Sequence, residues 1–227
     1  MIPLRSTERA YSKATVTASL IAVNTVIFLY EVMLTPAGLN QLVREWGIVP
    51  DRLHLFLVTS WASLFTSMFL HGGWLHLIGN MLFLWVFGRN IEDLIGGGKY
   101  LLFYLVCGLI AGAVQVISNP YSTIPTIGAS GAIAGVMGAY LVKFPRARII
   151  TLIPIFIFIT TMEIPAAFLL LWWFAIQFFS GFGSLGSNDY SGGGTAFFAH
   201  IGGFIAGMLL IRLFTPRKRF RAWYANE

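Results

Sequence analysis

Residues 196–214 read Ala-Phe-Phe-Ala-His-Ile-Gly-Gly-Phe-Ile-Ala-Gly-Met-Leu-Leu-Ile-Arg-Leu-Phe. At about 1.5 Å per helical residue this run is long enough to cross the roughly 30 Å hydrocarbon core of a bilayer. It has no alternation of polar and apolar positions, so it does not suit a membrane barrel, and a lone span in lipid must satisfy its backbone internally as a helix. It also places a histidine, His200, about one turn below its start. Ala199, Gly203 and Gly207 recur every four residues, the small-xxx-small pattern that lets two helix backbones approach closely.

Working outward, comparable runs occur at 16–34, 74–88, 100–117, 127–142 and 164–179. The expected fold is therefore all-α, a polytopic bundle of six transmembrane helices. One membrane domain covers 16–214, between an N-terminal segment, 1–15, and a basic tail, 215–227. Pro165 suits the first turn of span five, which leaves Ile149 to Met162 along the membrane interface. Span one follows a basic segment without a small-residue cleavage site and reads as a retained signal anchor.

Composition supports this class. Of 227 residues, 57% are hydrophobic and 11% charged, against about 45–50% and about 25% in ordinary soluble domains. A water-soluble globule is excluded. The net charge of +6 suits the positive-inside rule rather than a nucleic-acid partner. With both termini cytoplasmic, only Arg44 and Arg52 of the 15 lysines and arginines lie outside. Spans two, four and six then run from outside to inside, and their first turns share one depth. Cys107 is the single cysteine, so an internal disulfide and a cysteine-cluster metal site are both excluded.

Polar side chains at membrane depth are costly and are functional candidates by default. His76 and Asn80, at i and i+4, lie on one face of span two near its start. Ser130 opens span four within Gly128-Ala-Ser-Gly131, and Gly135 and Gly138 continue a small-residue stripe. Serine needs an adjacent base to act as a nucleophile, and histidine is suited to that task. Ser130 with His200 would supply nucleophile and base. His76, Asn80 and the Ser130 N–H would donate to a developing oxyanion. On residue types alone each also has a structural reading: Ser130 as interhelical glue, His200 as a hydrogen-bond partner or proton path, His76 and Asn80 as helix stitches. Other chemistries lack their residues. There is no HExxH helix for zinc. Asp51, Asp93 and Asp189 fall in loops or at helix ends, Glu163 is placed as a cap of span five, and no strand-borne GxSxG elbow occurs.

These segments resemble the rhomboid intramembrane serine proteases. The resemblance is carried by Phe69-Leu-His-Gly-Gly-Trp-Leu-His-Leu-Ile-Gly-Asn80 continuing to Gly88, by Gly128-Ala-Ser-Gly131, and by Ala199-His-Ile-Gly-Gly-Phe-Ile-Ala-Gly207, and it spans nearly all six helices. It implies Ser130 as nucleophile, His200 as general base, and His76 and Asn80 as oxyanion donors, in a site open to outside water. It also implies substrates that are single-pass membrane proteins cut near the outer end of their helix; no cofactor or metal is expected from the residues present, and the expected location is the cell membrane. The rival reading is a non-proteolytic rhomboid-like protein that binds transmembrane helices. Two positions depart from the family: Trp61-Ala62 where Trp-Arg is usual, and Ala134 where an aromatic sometimes follows the nucleophile by four residues. The 35–73 segment is expected to sit partly in the outer leaflet, and the glycine-rich 180–195 segment to strap the site. Trp172 and Trp173 are expected to face lipid or line a lateral entry.

Overall fold

The structure, a computed structural model, describes residues 1–53, 58–155, 158–184 and 196–215. It is mostly helical. Eight α-helices follow one another: α1 (Thr15–Met33), α2 (Pro36–Trp46), α3 (Val58–Thr66), α4 (Trp74–Ile95), α5 (Gly97–Ser118), α6 (Ser130–Lys143), α7 (Ala166–Ser184) and α8 (Phe197–Phe214). Four of them, α1, α5, α7 and α8, are long and apolar enough to cross a membrane, and α3 with α4 makes a fifth candidate, bent by 81° at residues 70–73. The count of six crossings is therefore met by length and composition in four or five. At about 1.5 Å per residue, the 14 residues of α6 reach only about 21 Å. This helix can be short because almost none of it meets lipid: Gly131 to Tyr140 are all buried.

The outside of the bundle is apolar, with Val26, Phe179, Leu209 and Leu213 all at least 66% exposed. The buried set, by contrast, includes Asn24, Glu31, His71, Asn80, Glu92, Gln177 and His200. Apolar surface outside and polar groups inside is the arrangement lipid selects.

The expectation of an all-α fold is corrected by a three-stranded antiparallel sheet. Its strands, β1 (Ile2–Ser6), β2 (Arg148–Ile155) and β3 (Phe158–Pro165), lie in the order β1-β2-β3, with Ile149 opposite Ile164 and Ile2 opposite Leu152. The stretch read as interfacial is rich in isoleucine and threonine, whose branched side chains suit strands. Helix α7 begins at Ala166, one residue past the expected Pro165. Glu163 is accordingly no helix cap; it lies in β3, 3.8 Å from Arg148, with both side chains more than half exposed, a pairing that contributes little.

The sheet, the N-terminal arm and the last turns of α4 and α6 share one end of the bundle. Glu92 accepts hydrogen bonds from the Val16 and Thr17 N–H groups and the Thr17 hydroxyl at 2.7–2.8 Å. A side chain of α4 thus satisfies the orphan donors at the start of α1, for which no local cap exists. At the other end, α3 lies against α5, and α2 lies against α3. Gly108 leaves room for Met68, and Gly112 for Ile48 and Leu64.

Candidate active site

Glycine brings the two central helices together. A Cβ at Gly203 would overlap the Gly131 carbonyl, one at Gly207 the Gly135 carbonyl, and one at Gly138 the Phe204 carbonyl. The stripes read from α6 and α8 therefore face each other, and backbone meets backbone. Ser130 and His200 sit at the open end of this seam, with Ser130 Oγ 2.8 Å from His200 Nε2. Gln115 of α5 helps fix the start of α8 by accepting the Ala199 N–H at 3.1 Å.

His76 and Asn80 lie against the entry to α6. Gly128 has a φ of +126°, and a Cβ there would stand 2.8 Å from His76 Cε1 and Nε2 and 3.7 Å from Asn80 Nδ2. Both the backbone conformation and the space exclude a side chain. The Gly72 N–H donates to His76 Nδ1 at 3.3 Å, which puts the ring proton on Nε2, the atom facing Gly128. Asn80 Nδ2 is buried and has no partner among the described residues. A buried amide donor without an acceptor is costly, and such groups call for an explanation.

Helix α7 supplies what the sequence reading missed. Gln177 Oε1 lies 2.7 Å from His200 Nδ1. With the amide oxygen facing it, Nδ1 carries the proton and the Nε2 lone pair points at Ser130, so the pair has a third member that is an amide rather than an acid. The Trp173 ring packs on His200, centroids 5.6 Å apart. The imidazole is thereby held from α7, while position 134 is a buried alanine. Trp173 thus faces the site, whereas Trp172 is 52% exposed and faces outward. Gln177 had a signal, a lone amide within an otherwise apolar span.

His71 was also passed over. It is buried, its ring lies edge-on to His76 at 5.2 Å, and its backbone N–H donates to the Glu31 carboxylate at 3.1 and 3.3 Å. Glu31, from the end of α1, so holds the turn from which Gly72 orients His76. Of the expected strap, Gly181 and Gly183 lie within α7, and 185–195 is outside the described residues. No group of three His, Cys, Asp or Glu side chains gathers into a metal-binding set among the described residues.

A family model described as "Rhomboid domain" matches residues 58–217. The chain is 31% identical over 204 residues to "Rhomboid protein 1, mitochondrial" of Saccharomyces cerevisiae, covering 84% of this chain and 51% of that protein. It is 42% identical over 81 residues to "Rhomboid protease GluP" of Bacillus subtilis, 36% of this chain and 15% of that one. Over 97 residues it is 35% identical to "Presenilin-associated rhomboid-like protein, mitochondrial" of Homo sapiens, 40% of this chain and 25% of the relative. The chain thus spans about half, or less, of the length of these relatives.

Proposed function

The chain belongs to the rhomboid family, and from that premise we propose that it is an intramembrane serine endopeptidase working through Ser130 and His200. The observation that carries the reading is the 2.8 Å contact between Ser130 Oγ and His200 Nε2, together with an Asn80 Nδ2 that has no partner among the described residues. In the reaction Ser130 Oγ attacks the scissile carbonyl as its proton passes to His200 Nε2. The negative oxygen is met by Asn80 Nδ2, His76 Nε2–H and the N–H of Ser130. His200 returns the proton to the leaving amine, and water then releases the acyl group by the same path. A peptide bond inside a helix is shielded by its own hydrogen bonding. The substrate class proposed is therefore a membrane protein whose helix unwinds near its outer end. The chain is an integral multi-pass membrane protein. The proposed arrangement is a six-helix bundle with cytoplasmic termini and the site opening to the outer side of the cell membrane.

The direct test is labelling with a fluorophosphonate in proteoliposomes. Wild type is expected to label at Ser130, and His200→Ala to lose the label while remaining folded. Equal labelling of both proteins would overturn the assignment of roles. A protein that neither labels nor cuts any single-helix reporter would support the helix-binding reading instead.

Asn80→Ala separates function from packing. Because Asn80 Nδ2 has no acceptor among the described residues, its removal is expected to leave the melting temperature unchanged or raised. It should nevertheless lower kcat by about 10²- to 10³-fold, as losing one oxyanion donor does. A fall in melting temperature with little change in kcat would make Asn80 a helix stitch.

Gln177 is expected to act as a positioning residue. Gln177→Leu, which keeps the bulk but removes the acceptor, should lower kcat by about 100-fold. Gln177→Glu keeps an acceptor for Nδ1–H and should restore most of it. Kinetics of the two variants at matched melting temperature check the role, and equal loss in both would reject it.

A further inference from the structure

Between the N-terminal arm and the last turns of α4, at the end of the bundle opposite His76, lies a cavity of about 750 Å³. Arg5, Glu8 and Arg9 line it from the arm, and Trp85, Arg89 and Asn90 from α4. The active site uses none of them. The cavity is a built feature, because the arm is tied down along its length. Ser6 Oγ lies 2.6 Å from the Tyr140 hydroxyl, Asn90 Nδ2 donates to the Glu8 carbonyl at 3.2 Å, and Asp93 accepts the Tyr11 and Ser12 N–H groups at 3.1 and 2.8 Å.

Its chemistry is uneven. Three guanidinium groups, of Arg5, Arg9 and Arg89, line it with one carboxylate, that of Glu8. Arg89 lies over the Trp85 ring, 4.8 Å from its centroid, and Trp85 is 42% exposed. Tryptophan settles at the boundary between acyl chains and headgroups, and the arginine fork matches phosphate oxygens. One turn of α4 separates Trp85 from Arg89, so an apolar wall and a cationic wall meet in the same cavity.

We infer that this cavity holds the phosphodiester headgroup of an anionic glycerophospholipid, with its acyl chains running past Trp85 along α4. A soluble phosphate compound shares the headgroup chemistry but would gain nothing from the tryptophan wall, and this distinguishes the two sources. The bound lipid bridges arm and bundle, so the arm reports on the charge of the surrounding leaflet.

Native mass spectrometry of the delipidated full chain, with phosphatidylglycerol and phosphatidylcholine of identical acyl chains, tests this. One phosphatidylglycerol is expected to be retained at least about tenfold more tightly than phosphatidylcholine. Arg5→Gln and Arg9→Gln should each weaken it about fivefold, the worth of one basic side chain near an anionic headgroup. Adding Arg89→Gln should abolish the preference. The two arm substitutions lie outside the helices, so their effect does not depend on bundle folding. Equal retention of the two lipids, or a preference that survives the triple substitution, would overturn the proposal. Displacement of the lipid by equimolar glycerol phosphate would overturn it as well, making the cavity a soluble-anion site.

Discussion

Ser130→Ala is expected to bring cleavage of a single-helix reporter in proteoliposomes down to background, a loss of about 10⁴-fold or more in kcat, with His200→Ala falling as far and the double variant no further. In the proposed mechanism the two side chains act as one unit across the 2.8 Å contact of Ser130 Oγ with His200 Nε2, and removing either leaves the other without a task. Such units are strongly non-additive. Residual rate over water would come from the donors around Gly128 alone. No side chain caps α6 at its start, so the serine variant should still fold, at a cost of up to about 1–3 kcal/mol for the His200 Nε2 left without its partner. If both variants cut as fast as wild type, the activity belongs to a contaminant. If their effects multiply instead of coinciding, Ser130 and His200 do not share a step.

The second large effect is expected from the smallest change, Gly203→Ala. Its new Cβ would overlap the carbonyl of Gly131, a backbone group one residue from the proposed nucleophile that cannot rotate away. Helices α6 and α8 must separate, and the serine and histidine they carry separate with them. Overpacking of this kind costs about 3 kcal/mol, and a displacement of about 1 Å between reacting groups costs about 100-fold in rate. Melting temperature and kcat should therefore fall together. Gly79→Ala is the matched control, since a Cβ there meets nothing within 4 Å, and it should change neither by much. A Gly203→Ala protein with wild-type stability and rate would mean that the seam is looser than its backbone contacts require.

These expectations separate what residue order made legible from what it did not. His76 and Asn80 were legible as a pair because i and i+4 fall on one helical face. The glycine stripes were legible because small residues every fourth position have few other uses in a membrane. The arm and sheet were not. Ile149 to Met162 was read as interfacial because its apolar run was judged against the bilayer, and its partner strand, Ile2–Ser6, is more than 140 residues away. Glu163 was misplaced for the same reason, since a cap and a strand residue before a proline look alike locally. Gln177 was not legible as a support of His200, and Trp173 was legible only as a lipid-facing or entry-lining residue, because the contacts that hold the imidazole join α7 to α8.

By itself the sequence determined the solvent this protein folds in, the helical class that solvent enforces, and the few polar side chains it tolerates at depth, because each follows from residue type and local spacing. Only the tertiary structure decided which of those side chains meet. The 2.7 Å bond from Gln177 to His200, the hold of Glu31 on the turn before His76 and the arginine cavity beneath the arm all join elements far apart in the chain. Their geometry is set by how closely backbones can pack, which no local pattern encodes.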